Sequence, residues 1–239
     1  MTSSRLPGKT LLPAGGKPML RILLERLGRV PGIDEIVVAT TTNAADDPIV
    51  EVAQIMGVGV YRGSEDDVLG RVAGALAEAG AEIAVEITGD CPLTDPDMTR
   101  ACLQAYIANR DRTSYVANTT GPVPGAPSGF DVQVFSAAAL ADIAATTHDA
   151  EAREHVSIPF YRPENRSRYR PLFLSFFPPE TCRRVWVSLD YPEDYRLIRT
   201  CYEALAPGDP FFDASRVVDF CLEHRDLTLS CLKRRGLEP

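Results

Sequence analysis

The 239-residue chain sets 25 lysines and arginines against 33 aspartates and glutamates, a formal net charge of −8. That balance argues against nucleic acid as the partner, since binding along a phosphate backbone needs a basic face, and no apolar run approaches the ~20 residues of a membrane span. Six cysteines (Cys91, Cys102, Cys182, Cys201, Cys221, Cys231) show no C-x-x-C spacing and follow no signal peptide, so they read as reduced core thiols of a soluble, cytoplasmic protein.

The length suits one α/β domain with a small appendage. Residues 1–9 are polar and interrupted by Pro7 and Gly8, so the chain opens as a loop that runs on through Gly15, Gly16 and Lys17. Met19, Leu20, Leu23, Leu24 and Leu27 then recur at helical spacing, with Pro18 at the first turn. Glycines with Arg5, Lys9 and Lys17 ahead of a helix N-terminus make a candidate phosphate cradle. The competing reading is a solvated terminus with ordinary surface cations, because no G-x-x-x-x-G-K-[ST] motif is present.

Ile36–Ala39 reads as a buried strand, and Asp47-Pro48 opens a helix that Gly57 stops. Val58–Tyr61 is a further short strand with Arg62 at its end, where a cation can reach a ligand; Ser64 with Asp67 resembles a capping box. Ile83–Ile87 follows as a strand. Strands alternating with helices predict a mostly parallel sheet with right-handed crossovers. Tyr115–Asn118 and Phe130–Phe135 are predicted strands, the second with Asp131 on a more polar face, toward either a pocket or solvent. Glu151–Val156 is helical and holds Arg153 and His155, and 162–170 reads as an exposed connection. Leu172–Phe177 and Arg184–Leu189 are predicted as a strand pair leading to Asp190; Pro192 and Asp213 open helices, and the tail from Lys233 is expected to be loosely held.

Two stretches share one pattern. Val85-Glu86-Ile87-Thr88-Gly89-Asp90-Cys91-Pro92 and Val185-Trp186-Val187-Ser188-Leu189-Asp190-Tyr191-Pro192 each run from an apolar strand to Asp, then to Pro before a helix. A Gly-Asp-x-Pro run is often only a turn. Two such aspartates beyond strand ends, where open α/β sheets place ligands, are instead suited to sharing one hard cation, and Mg²⁺ favours one or two carboxylates plus phosphate oxygens.

Ser3-Ser4-Arg5-Leu6-Pro7-Gly8-Lys9, Arg62-Gly63-Ser64-Glu65-Asp66-Asp67, Thr88-Gly89-Asp90-Cys91-Pro92-Leu93, Gly129-Phe130-Asp131-Val132, Arg153-Glu154-His155-Val156 and Leu189-Asp190-Tyr191-Pro192-Glu193-Asp194, in that order, resemble the SpsF-like branch of the cytidylyltransferases. That branch takes its name from spore coat polysaccharide biosynthesis and is similar to the enzymes that make CMP-Kdo and CMP-sialic acid. The resemblance implies a Rossmann-like, three-layer nucleotide-diphospho-sugar transferase fold over 1–239. It also implies a reaction in which a sugar hydroxyl attacks the α-phosphate of CTP and releases pyrophosphate. Carried over residue by residue, Ser4, Arg5 and Lys9 hold the triphosphate with help from Lys17; Asp90 and Asp190 hold Mg²⁺; Arg62 and Ser64 lie near the nucleotide; Asp131, Arg153 and His155 lie near the sugar. Related enzymes make a homodimer the expected state.

The chain departs from the family in one respect. Members carry a strand ahead of the phosphate loop, whereas here Met1 already lies in that loop, which points to a misassigned start, a truncation or a degenerate gene. Without that strand its two neighbours are expected to keep open edges. Two other classes of function stay open at this level: a glycosyltransferase that consumes a nucleotide sugar on a similar fold, and a non-catalytic binding protein.

Overall fold

The computed structural model describes residues 5–237. Leu20 and Leu24 of α1 (Met19–Leu27) and Ile49 and Val52 of α2 (Asp47–Ile55) pack with Ile36, Val38 and Val58 beside β3 (Val37–Thr41) and β4 (Gly59–Gly63), which pair in parallel. The loop ahead of α1 folds into a hairpin, β1 (Pro13–Ala14) with β2 (Lys17–Pro18). Its turn residues Gly15 and Gly16 both have positive φ, +55° and +76°, a conformation that side chains resist and that tight hairpin turns demand.

A second sheet has four strands in the order β5–β7–β6–β8: Ile83–Glu86, Gln133–Ser136, Tyr115–Ala117 and Leu172–Phe173. Alternate residues face two cores. Ala84, Phe135, Tyr115 and Ala117 pack with Leu69 of α3 (Val68–Glu78), Leu140 of α5 (Ala137–Thr146) and Phe160 of α7 (Ile158–Tyr161). Val85, Val134 and Val116 pack with Cys102 and Leu103 of α4 (Pro96–Asn109) on the opposite face. This period-2 division produces the expected three layers. The sheet is mixed where sequence predicted it mostly parallel: β7 runs antiparallel to β5 and β6, while β6 and β8 are parallel. The alternation of strands and helices breaks at 118–132, where a loop replaces a crossover helix and lets β7 enter from the other end.

Among the described residues β3 pairs only with β4, and β5 only with β7, so each keeps one open edge. Helix α3 packs on both pieces, against β3 and β4 and, through Leu69, against the second sheet.

The third core joins Met19 and Ile22 to Val187 and Leu189 and to α10 (Pro192–Leu205), α11 (Ala214–Glu223) and α12 (Arg225–Lys233). Arg26 of α1 is fully buried there and braces it, donating to the carbonyls of Thr94 at 2.7 Å, Pro210 at 3.1 Å and Phe212 at 2.6 Å. Three corrections concern this part of the chain. The predicted strand 184–189 forms no pair with 172–177; residues 185–189 run extended beside Ser128 and Asp90. Before them α9 (Pro179–Arg184) is helical, Pro179 occupying its first turn. The tail is anchored: Leu237 N–H donates to Leu232 O, and Arg235 is held as described below. Short helices α6 (Ala150–Glu154) and α8 (Arg166–Tyr169) complete the connection between β7 and β8.

Candidate active site

The two aspartates predicted from their shared pattern meet because the backbone aligns them. Leu189 N–H donates to the carbonyl of Asp90 at 2.8 Å, so the segment leading to Asp190 runs beside the end of β5. Asp95 caps α4 by accepting from Met98 N–H at 2.9 Å and also accepts from Ala214 N–H at 2.6 Å, which fixes the turn after Asp90 against α11.

Lys9 reaches both carboxylates, its Nζ lying 2.9 Å from Asp190 Oδ1 and 3.5 Å from Asp90 Oδ2. Arg5 Nη2 donates to the same Asp190 oxygen at 3.1 Å. Thr88 Oγ1 donates to Asp90 Oδ1 at 2.5 Å. Burial pushes the Asp190 pKa up, but the hydrogen bonds and charges of Lys9 and Arg5 outweigh it and hold the carboxyl below its ordinary range. Two of the three loop cations predicted to hold phosphate, Arg5 and Lys9, are thus already at the aspartates, as displaceable partners at the edge of the site.

Sequence reasoning missed a second layer. Asp194, fully buried, accepts from the backbone N–H groups of Asp190 at 2.9 Å and Tyr191 at 2.8 Å, closing the first turn of α10. Arg235 grips Asp194 with its fork, at 2.8 Å to Oδ1 and 2.6 Å to Oδ2, and comes within 3.8 Å of Asp190 Oδ2. Its guanidinium also lies over the rings of Trp186 at 4.4 Å and Tyr191 at 5.1 Å. An Asp three residues into a helix that opens on Pro192 was legible as a capping residue; its partner 41 residues later was not.

Asp131 joins the margin of this cluster. Its Oδ2 accepts from Gly129 N–H at 2.7 Å, and Cys91 Sγ lies 3.9 Å from Asp131 Oδ2 and 3.7 Å from Asp90 Oδ1. Burial, with a contribution from Asp90, raises the Asp131 pKa. Gly129 has φ +103°, and a Cβ there would come within 2.3 Å of the Val187 backbone, so only glycine lets the 186–189 segment pass this closely.

The remaining candidates are placed elsewhere. Lys17 pairs with Glu25 at 2.7 Å. Arg62 lies within β4 and donates to Thr41 O at 2.8 Å, Asn43 O at 2.8 Å and Asp47 Oδ1 at 2.7 Å, bracing the loop after β3. Ser64 Oγ accepts from Asp67 N–H at 3.2 Å, but the residue that caps α3 is Asp67. Arg153 binds both Asp67 oxygens, at 3.2 and 3.1 Å, and the carbonyls of Ala144 and Thr147. His155 is an exposed residue at the end of α6. Ser4 lies outside the described residues.

Because one ammonium nitrogen contacts both Asp90 and Asp190, the pair is close enough to share a single cation. Two carboxylates left to be completed by phosphate oxygens and water make a donor set for a hard divalent ion. The described residues contain no cluster of three or more His, Cys, Asp or Glu side chains that would close the shell by themselves. A carboxylate pair, flanking cations and a glycine-bearing loop beyond the end of a strand in an α/β fold are a donor set suited to phosphoryl or nucleotidyl transfer.

Comparison with known proteins narrows that class. Residues 1–203 match the family model described as Cytidylyltransferase, and the chain belongs to that family, as a nucleotidyltransferase enzyme. It is 30% identical over 225 residues to the spore coat polysaccharide biosynthesis protein SpsF of Bacillus subtilis, covering 91% of this chain and 89% of that protein. An uncharacterized protein of Methanocaldococcus jannaschii is 35% identical over 197 residues, 82% of this chain and 76% of its own length. Among solved structures, a cytidylyltransferase from Leptospira borgpetersenii superposes with a TM-score of 0.85 at 26% identity, covering 95% of this chain and 92% of that one. Among the described residues no helix is long and apolar enough to cross a membrane.

Proposed function

We propose that residues 1–239 act as one cytoplasmic cytidylyltransferase domain that moves CMP from CTP to an acidic, nonulosonic-type sugar for surface polysaccharide synthesis. The observation that carries this reading is the convergence of Asp90 and Asp190 on Lys9 at the end of β5. In the reaction an acceptor hydroxyl oxygen bonds to the α-phosphorus of CTP. The bond from that phosphorus to the oxygen bridging the β-phosphate breaks, pyrophosphate leaves with the electron pair, and the hydroxyl proton passes to water. Asp90 and Asp190 would hold Mg²⁺, which would supply charge neutralisation during the transfer.

The chain's own residues do the rest. Arg5 and Lys9, now paired to Asp190, turn to the β- and γ-phosphates and balance the charge that builds on the leaving pyrophosphate; Ser4 adds a hydroxyl to the same loop. Asp194 and Arg235 fix the backbone that presents Asp190, so the carboxylate needs little reorganisation during transfer. Asp131 accepts from a sugar hydroxyl. The test is pyrophosphate release on mixing the protein with Mg²⁺, CTP and a panel of sugar acids. Release that requires both CTP and a sugar supports the reading, whereas consumption of a preformed nucleotide sugar without pyrophosphate would assign the site to glycosyl transfer.

A further inference from the structure

Among the cations that converge on Asp190 and Tyr191, one has no carboxylate. Lys9 and Arg5 pair with Asp190, Lys9 also reaches Asp90, and Arg235 grips Asp194. The Arg234 guanidinium lies 4.7 Å from the centroid of the Tyr191 ring, and its side chain makes no hydrogen bond or ion pair among the described residues. Arg5 stacks on the same ring at 5.3 Å while donating to Asp190 at 3.1 Å. Arg234 is therefore held beside the cationic loop with its own charge unspent.

The end of the chain places this residue by local chemistry. Cys231 and Leu232, in the last turn of α12, are buried, and Arg235 follows Cys231 by one helical turn onto the same inner face. Arg234 precedes it by one position, about 100° round the helix, and emerges exposed at the rim. Gly236, at φ +67°, then stops the helix, and Arg234 N–H donates to Ser230 O at 3.2 Å, so the backbone that carries the guanidinium is fixed. Stacking on a ring sets the plane of a guanidinium and leaves its N–H donors unused. Arg5 and Arg235 share that ring, and their like charges repel Arg234. A cluster of like charges with one member unpaired gains most from a bound polyanion, and planar forks of this kind match phosphate oxygens.

We infer that Arg234 is a further phosphate-binding residue of this centre: with Arg5, which shares the Tyr191 ring, it holds the β- and γ-phosphates of the nucleotide and the pyrophosphate that leaves. Arg5 and Lys9 must release Asp190 to meet those phosphates, whereas Arg234 gives up no partner. The inference rests on the cytidylyl-transfer reading, which supplies the identity of the polyanion. It gives the end of the chain, beyond the 1–203 stretch that matches the family, a direct part in the reaction.

The test is calorimetric titration of wild type, R234Q and R234K with CTP and Mg²⁺, with pyrophosphate and Mg²⁺, and with CMP, which lacks the β- and γ-phosphates. Thermal unfolding of the three unliganded chains runs alongside. R234Q is expected to bind CTP and pyrophosphate about tenfold or more weakly, the loss of hydrogen bonds to a charged group, and R234K to recover part of that loss. CMP binding and the unliganded midpoint stay at their wild-type values, which a merely structural role for Arg234 would not allow. If R234Q binds CTP and pyrophosphate as wild type does, or loses CMP by the same factor, Arg234 makes no phosphate contact and the cytidylyl reading stands. If wild type binds pyrophosphate but not CTP, and R234Q weakens that binding, the role of Arg234 stands and the cytidylyl reading falls. If wild type binds neither, both fall.

Discussion

Two charged regions of this protein look alike in sequence and differ in what their charges do. Around Asp190, the partners come from 185, 181 and 45 residues away (Arg5, Lys9 and Arg235) and leave the Asp90 and Asp190 carboxylates partly exposed. Around Arg62 and Arg153, the cations are used up in loop carbonyls and nearby carboxylates: Arg62 on Thr41, Asn43 and Asp47, Arg153 on Ala144, Thr147 and Asp67. A guanidinium bonded to backbone carbonyls cannot turn to a ligand without leaving those acceptors unpaired, which costs about 1–3 kcal/mol each where they are buried. An ion pair between side chains can open when a phosphate or a cation offers a better partner. The type of partner thus separates a binding site from a brace.

The largest effect expected from this contrast is on Asp90 and Asp190. D90N or D190N lowers kcat/KM for pyrophosphate release by about 10²–10³-fold or more, the range seen when one preorganised electrostatic contact is removed, with the fold retained by circular dichroism. Next is Arg235, whose role joins both kinds of behaviour. R235M leaves Asp194 buried and short of its partner, so the folded state loses about 3 kcal/mol, read as a drop in urea midpoint, and turnover falls with it. R62A is predicted to act on stability alone, by about 1–2 kcal/mol, with KM for CTP unchanged; a rise in that KM with unchanged stability would move Arg62 into the site and break the comparison.

The smallest effect expected concerns pH. Glu86, at the end of β5, has a buried carboxylate oxygen with no hydrogen-bond partner, and burial pushes its pKa up to about 7. Between its ordinary value of 4.5 and about 7 the folded state binds more protons than the unfolded one, so this residue lowers stability progressively as pH rises through that window. E86Q therefore flattens the fall in urea midpoint between pH 5 and 8 and stabilises the protein by about 1 kcal/mol at pH 8.

Much of this was legible in the chain, for identifiable reasons. Apolar periodicity and caps located α1, α2, α10 and α11, since Pro48, Pro192 and Asp213 mark helix starts by local chemistry. Asp90 and Asp190 were recognisable because each ends an apolar run just before a turn. Partners set by tertiary packing left no local trace: nothing near Arg235 signals Asp194, and nothing near Lys17 distinguishes a pair with Glu25 from a ligand contact. The same limit explains the predicted strand pair at 172–189, where apolar alternation is satisfied by burial in the third core and by the neighbouring Ser128 and Asp90 backbone.

The central claim is that Asp90 and Asp190, with Arg5 and Lys9, bind CTP together with a divalent ion. It is tested most directly by thermal unfolding with Mg²⁺ and CTP, UTP, ATP or GTP in turn, on the wild-type chain and on D90N and D190N. The account predicts that CTP raises the midpoint most, by the equivalent of about 2.7 kcal/mol at about 100 times its dissociation constant, only when Mg²⁺ is present, and that both substitutions abolish the shift. A chain that no triphosphate stabilises, or one that CTP stabilises equally without Mg²⁺ and in D190N, would contradict it.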